Sequence, residues 1–215
     1  METQTLRKPS VERREEIAAA ALRLIGERGR TAMTTANLAS ELGLSSGALF
    51  RHFATLDDVL RGAVALGIRR IEATFPDETL PPLERLLALA RRRVQVLGSD
   101  PGLAWLVRSD EVHLTLPEDA LAELRRLVAR SKRFLLAAIR EGAAEGSIRD
   151  DIEPEILLVP VMGTIHALIG MPGIHRNPKN ARGGKPERVF SALALLLEPR
   201  TTKKKRKRRT HHAEK

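Results

Sequence analysis

Residues 34–53 read TTANLASELGLSSGALFRHF. Gly43 stands between two short apolar patterns: Leu38 and Leu42, with the small Ala39, lie before it, and Leu44 and Leu49 lie after it. Glycine permits the positive φ that a sharp turn between two helices demands, and Ala39 lets the second helix cross closely. Leu38, Leu42, Leu44 and Leu49 then share one small core, and Ser45 can cap the second helix. This is the spacing of a helix-turn-helix, with helices predicted over 35–42 and 46–53. An ordinary αα-hairpin inside a helical core would use the same glycine turn. Two features favour the helix-turn-helix. The second helix spans only about two turns. Its residues off the apolar stripe, Ser46, Gly47, Ala48 and Arg51, are small or polar, which lets a helix approach the floor of a nucleic-acid groove.

Outward from this stretch, the pattern is helical nearly everywhere. Apolar residues recur at three and four, no period-2 run is sustained, and Leu, Ala, Arg and Glu dominate over β-branched and aromatic residues. The punctuation predicts an all-α chain of about nine helices. The first covers 11–28, with Ser10 as its N-cap and Gly29 as its stop. After the two short helices, a fourth covers 56–75, opened by a capping box in which Thr55 is the cap and Asp58 takes the usual glutamate position. A fifth covers 83–97, and a sixth opens at Asp100-Pro101 with Asp as cap. A seventh opens at Thr115-Leu116-Pro117-Glu118 and runs to Glu145, where Gly146 ends it. The eighth and ninth cover 154–171 and 186–197. Between these two, PGIHRNPKNARGGK (172–185) reads as a mobile loop.

The 215 residues include no cysteine, which excludes a disulfide framework, thiolate metal sites and a cysteine nucleophile. The N-terminal METQTLRKPSVERREE lacks the apolar core of a secretory signal. The most apolar stretch, ILLVPVMGTIHALIGM, is shorter than a membrane span and carries Pro160, Thr164 and His166, so it reads as a buried helix. A soluble, cytoplasmic protein without membrane association is expected. The net charge of +10 is unevenly placed: residues 199–215 hold nine Lys and Arg and one acid, so the body is nearly neutral at about +2. The tail TTKKKRKRRTHHAEK should be disordered. It reads as a tether adding non-specific DNA affinity, as a solvated end without a task, or as a nuclear-import signal.

The whole N-terminal third resembles the DNA-binding domain of TetR-type transcriptional regulators. The resemblance rests on an amphipathic helix ending in Glu27-Arg28-Gly29, the Ala39/Gly43/Leu49 frame, Gly47 two residues before Leu49 and the aromatic Phe50, His52-Phe53 closing the helix, and the capped helix at Asp57-Asp58-Val59-Leu60. It covers about residues 11–60. It implies a three-helix DNA-binding domain over 1–55, a larger helical ligand-binding and dimerisation domain over 56–198, and a polybasic tail over 199–215. It implies a ligand-responsive regulator, a repressor by expectation, acting as a homodimer on a near-palindromic operator in a bacterial cytoplasm. The last two helices, at about 154–171 and 186–197, would form the dimer interface. Helix eight, apolar on all faces, needs a partner on physical grounds too, because a small domain cannot cover every face of it.

Matching motif positions assigns base contacts to Ser46, Gly47, Ala48 and Arg51, with Arg51 reading guanine. Thr34 and Thr35 at the start of helix two, and Ser45, His52 and Thr55, are phosphate candidates, with Arg7 and Lys8 in an arm ahead of helix one. Two departures bear on affinity. The family usually has Tyr where this chain has Phe50, and Lys where it has Leu56, and both family residues contact phosphate. Weaker DNA binding is therefore expected. Candidate effector contacts are Phe75, Trp105, His113, Phe134, Met162 and His166. The absence of tyrosine and a shortage of buried cations point to a small effector, apolar or weakly polar. No metal or cofactor is expected. Asp110, Glu111 and His113 cluster at one helix end without any accompanying catalytic motif, so an enzyme is not expected. The readings that compete with an operator-specific regulator are a helical small-molecule carrier and a non-specific DNA-coating protein.

Overall fold

The computed structural model describes residues 10–170 and 185–199. They form ten α-helices and one 3-10 turn, with no strand among the described residues. α1 (Ser10–Arg28) is followed by a 3-10 turn (Arg30–Ala32), α2 (Thr35–Glu41) and α3 (Ser46–Phe50). Next come α4 (Leu56–Glu72), α5 (Pro82–Gly98), α6 (Pro101–Arg108), α7 (Val112–Thr115) and α8 (Glu118–Glu145). α9 (Pro154–Ile169) and α10 (Lys185–Leu197) complete the set.

Local chemistry sets most of these boundaries. Thr34 caps α2 by accepting the Asn37 N–H at 3.2 Å, and Ser45 caps α3 by accepting the Ala48 N–H at 3.1 Å. Thr55 and Asp58 cap α4 reciprocally, each side chain accepting the other's backbone N–H at 3.1 Å. Asp100 accepts two N–H groups at the start of α6, at 2.9 and 3.1 Å. Gly43 and Gly146 carry the positive φ, 62° and 81°, that ends α2 and α8.

Several boundaries differ from the sequence expectation, among them the end of α4, at Glu72 rather than 75. Ser10 lies inside α1 rather than capping it. The second helix of the helix-turn-helix stops at Phe50, because the chain turns at Arg51 and His52 to drop Phe53 into the core. Thr115 closes the one-turn α7 and does not open α8. Leu116 precedes a proline and is held extended at φ −84° and ψ 143°, so no helix can run through it. The arm with Arg7 and Lys8 and the basic run at 203–209 lie outside the described residues. The connection expected at 172–185 does too, except for Lys185, which begins α10.

α1 packs along α4 and against α6, and α2 and α3 close one end of this group. Ile17, Ala21, Leu38, Leu49, Phe53 and Val59 form the core there. α5 packs against α8 and α9, and α10 covers α9 and α5. The buried residues of the two halves are continuous. Each fully buried Leu or Ile contributes about 1.5–3 kcal/mol relative to exposure, so α1, with seven buried apolar residues, is an anchor for both halves.

Candidate nucleic-acid interface and second-half cleft

α3 gives up a single side chain, Leu49, to the core. Ser46, Gly47, Phe50 and Arg51 are exposed and Ala48 is half-buried. A Cβ built on Gly47 meets nothing within 4 Å, so this side of the helix faces open space. Arg51 has no ion pair or hydrogen bond among the described residues, and its guanidinium is free to meet a base edge. The capping of α3 leaves the Ser45 hydroxyl proton unused, and Thr34 stands likewise at the start of α2. The Thr55 hydroxyl differs, because it also donates to Asp58 at 2.9 Å and has no proton left for a phosphate. Thr55 instead fixes α4, and through it Asp58 is held below the usual carboxylate range. His52 is half-buried, with Nδ1 inside and without a hydrogen-bond partner.

Charge near this face is partly cancelled. Glu41 pairs with Arg23 at 3.1 Å and Arg28 at 3.4 Å, and Arg14 lies over the Phe53 ring at 4.7 Å. Phe50 supplies an exposed ring without a hydroxyl, and Leu56 is half-buried.

The second half holds an open cleft of about 350 Å³ between α6, α7 and α8. Leu106, Val112, Leu121, Leu124 and Val128 line it together with Arg108, Arg125 and Lys132. Of the six effector residues expected from sequence, only His113 lies on this lining. Phe75 and Phe134 instead meet edge-to-face at 5.1 Å, with Arg93 and Arg130 over Phe75 at 4.9 and 4.7 Å. Trp105 is buried, and its indole N–H points to Glu111 at 3.4 Å. Met162 and His166 are half-buried on α9. Burial, and then the charges of Arg108, Arg93 and Lys132, push His166 below its ordinary value.

The expected shortage of buried cations is overturned. Arg85 and Arg93 are both buried. Arg85 donates to the Glu78 carbonyl at 2.7 Å and pairs with Glu141. Arg93 donates to the hydroxyls of Thr74 and Ser131, and burial, with Arg130 nearby, lowers it to about 10. A signal was present in the sequence: Arg93 falls on the stripe of Leu86, Ala90 and Leu97, at the helical spacing of inward positions.

A short capped helix bare on one end of an all-α body, with a larger helical half behind it, defines a helix-turn-helix DNA-binding regulator. Residues 17–63 match the family described as "Bacterial regulatory proteins, tetR family". The chain is 25% identical to the HTH-type transcriptional repressor KstR2 of Mycolicibacterium smegmatis over 150 residues, 67% of this chain and 72% of that protein. In fold it resembles the ketosteroid transcriptional regulator KstR2 of Mycobacterium tuberculosis, with a TM-score of 0.73 and 18% identity over 86% of this chain and 95% of that one. It also resembles AibR, solved in complex with isovaleryl coenzyme A and operator DNA, with a TM-score of 0.68 and 19% identity over 86% of this chain and 97% of that one. The family match spans α1 to the first half of α4, the helix-turn-helix end of the chain, and makes that end similar to the TetR family of bacterial regulatory proteins. Regulators of this family bind DNA, act as dimers and answer to small-molecule effectors; they are not enzymes. Among the described residues, no helix is long and apolar enough to cross a membrane.

Proposed function

We infer that this chain is a homodimeric repressor that reads a near-palindromic operator with α3 and is released by a small molecule bound in its second half. The observation that carries this reading is the exposure of α3, with Leu49 alone buried and Gly47 facing open space. Ser46, Gly47, Ala48 and Arg51 read bases. Thr34, Thr35, Ser45 and His52 hold phosphates, Phe50 packs against the backbone, and Thr55 acts indirectly by anchoring α4. Residues 1–55 serve as the DNA-binding unit and 56–198 as the effector and dimer unit. Val159 and Leu195, 68% and 67% exposed on α9 and α10, support a two-fold interface through these helices, because such apolar surface gains by burial against a second copy.

The coupling runs through α6 and α4. Leu106 lines the cleft, and its side chain presses on Gly67 of α4. At the other end of α6, Gly102 lies against the backbone of Leu22 in α1. A ligand that tilts α6 therefore moves both helices that carry the helix-turn-helix. The effector's differential affinity for the two arrangements sets how far release can go.

The test is selection of bound fragments from the source genome by the full-length chain. An operator reading yields a few enriched sites with two-fold symmetry, protected by one dimer each. Uniform retention of all fragments, or none, refutes it.

A further inference from the structure

The cleft between α6, α7 and α8 has a one-sided charge. Arg108, Arg125 and Lys132 lie on its lining, and Asp110 is the carboxylate there. Arg125 is answered by Glu118 at 2.9 Å. Arg108 and Lys132 have no ion pair or hydrogen bond among the described residues. Behind them stands Arg93, buried on α5 over the Phe75 ring, with the hydroxyls of Thr74 and Ser131 as hydrogen-bond acceptors. The Arg108 guanidinium lies against Gly170, at the end of α9. Arg93, Arg108 and Lys132, from three different helices, all bear on His166 of that same helix. Like charges gathered without a paired carboxylate repel one another; Arg108 and Lys132 are exposed at the rim, where water screens them, and the repulsion is strongest at the buried Arg93. An anion seated among them removes that cost.

We propose that the cleft binds an amphipathic anion, with its apolar body against Leu106, Val112, Leu121 and Leu124 and its carboxylate or phosphate end between Arg108 and Lys132. The proposal rests on the effector reading above and narrows its ligand class. It replaces the apolar or weakly polar effector expected from composition. Arg108 also favours the negative end of the α9 dipole, but that role acts on stability and does not distinguish an anion from an alcohol.

The test is calorimetric titration of the full chain with octanoate, octyl phosphate and 1-octanol at fixed ionic strength and neutral pH. At least one of the two anions is expected to bind one per protomer and about tenfold or more tighter than octanol. The tighter of the two identifies the head group. The Arg108→Gln/Lys132→Gln double variant should bring anion binding down to the octanol level and leave octanol unchanged. The His166 ring resonances should titrate at higher pH with the bound anion than with octanol, because the anion offsets Arg93, Arg108 and Lys132. Equal affinity of wild type for octanol and both anions, or unchanged anion binding by the double variant, overturns the proposal. Val128→Trp, which fills the cleft, separates the two levels of the argument. If octanol binds wild type but not Val128→Trp and neither anion gains, the cleft is an effector site for neutral ligands and only the anion proposal fails. If no probe binds, or all bind Val128→Trp unchanged, the cleft reading fails with it.

Discussion

The two halves of this molecule use opposite materials. In the first half, α2 and α3 are short and held by Thr, Ser and Gly at their ends, and the core they share with α1 is plain aliphatic with one aromatic, Phe53. The second half puts polar and charged groups inside: Arg85, Arg93 and Ser131 are buried among leucines, and Phe75 and Phe134 are covered by guanidinium groups. A DNA-reading unit must present one surface in a fixed shape, and local caps with a small dry core do that. An effector unit must change shape for a ligand, and polar groups that lack full partners leave it a reason to respond. α1 ties the two together.

The sharpest way to break this contrast is at the junction. A Cβ on Gly102 would overlap the Leu22 backbone, which cannot yield. Gly102→Ala should cost about 3 kcal/mol and lower Tm by roughly 6–12 °C in a calorimetric scan. An unchanged Tm would mean that the halves are not rigidly seated on each other. Arg51→Ala comes next. It should leave Tm unaltered and remove about 2 kcal/mol of operator discrimination, roughly 30-fold, in competition binding against random DNA. Retained discrimination would move base reading off Arg51. Thr55→Ala should cost about 1 kcal/mol through the lost α4 cap, seen as a Tm fall of roughly 2–4 °C, with operator discrimination intact. A uniform loss of affinity for operator and random DNA, without a loss of stability, would return Thr55 to the phosphate contacts.

The smallest effect concerns His166. Its pKa in the folded chain lies below the ordinary 6.5, so the unfolded chain binds more protons as pH falls through that value. Stability should therefore decline from pH ~7.5 to ~5.5. His166→Gln should reduce that slope in urea midpoints taken across the range. An identical slope in the variant would place the titration elsewhere and weaken the view of a cation-rich second half.

The contrast also explains what could be read in advance. Caps and turns act over three or four residues, so Ser45 before Ala48, Thr55 before Asp58, Asp100 before Pro101 and the glycine at 43 each carry their own meaning in the linear chain. The helix-turn-helix is built almost wholly from such signals. α7 escaped because a single turn has no period to detect, and Thr115 misled because a cap-like residue two before a proline cannot start a helix. The candidate effector residues were chosen for being rare, and rarity says nothing about direction. Only His113 reached the cleft.

By itself, the chain's order of residues determined the all-helical class, most of the helix ends and the short capped α3 after Gly43, since these follow from hydrogen bonds and apolar spacing within a few positions. Tertiary structure alone decided that Arg93, Arg108 and Lys132, 15 and 24 positions apart in succession, gather around one end of α9. The burial and electrostatic potential of each depend on which distant helices surround it, and no local pattern encodes that.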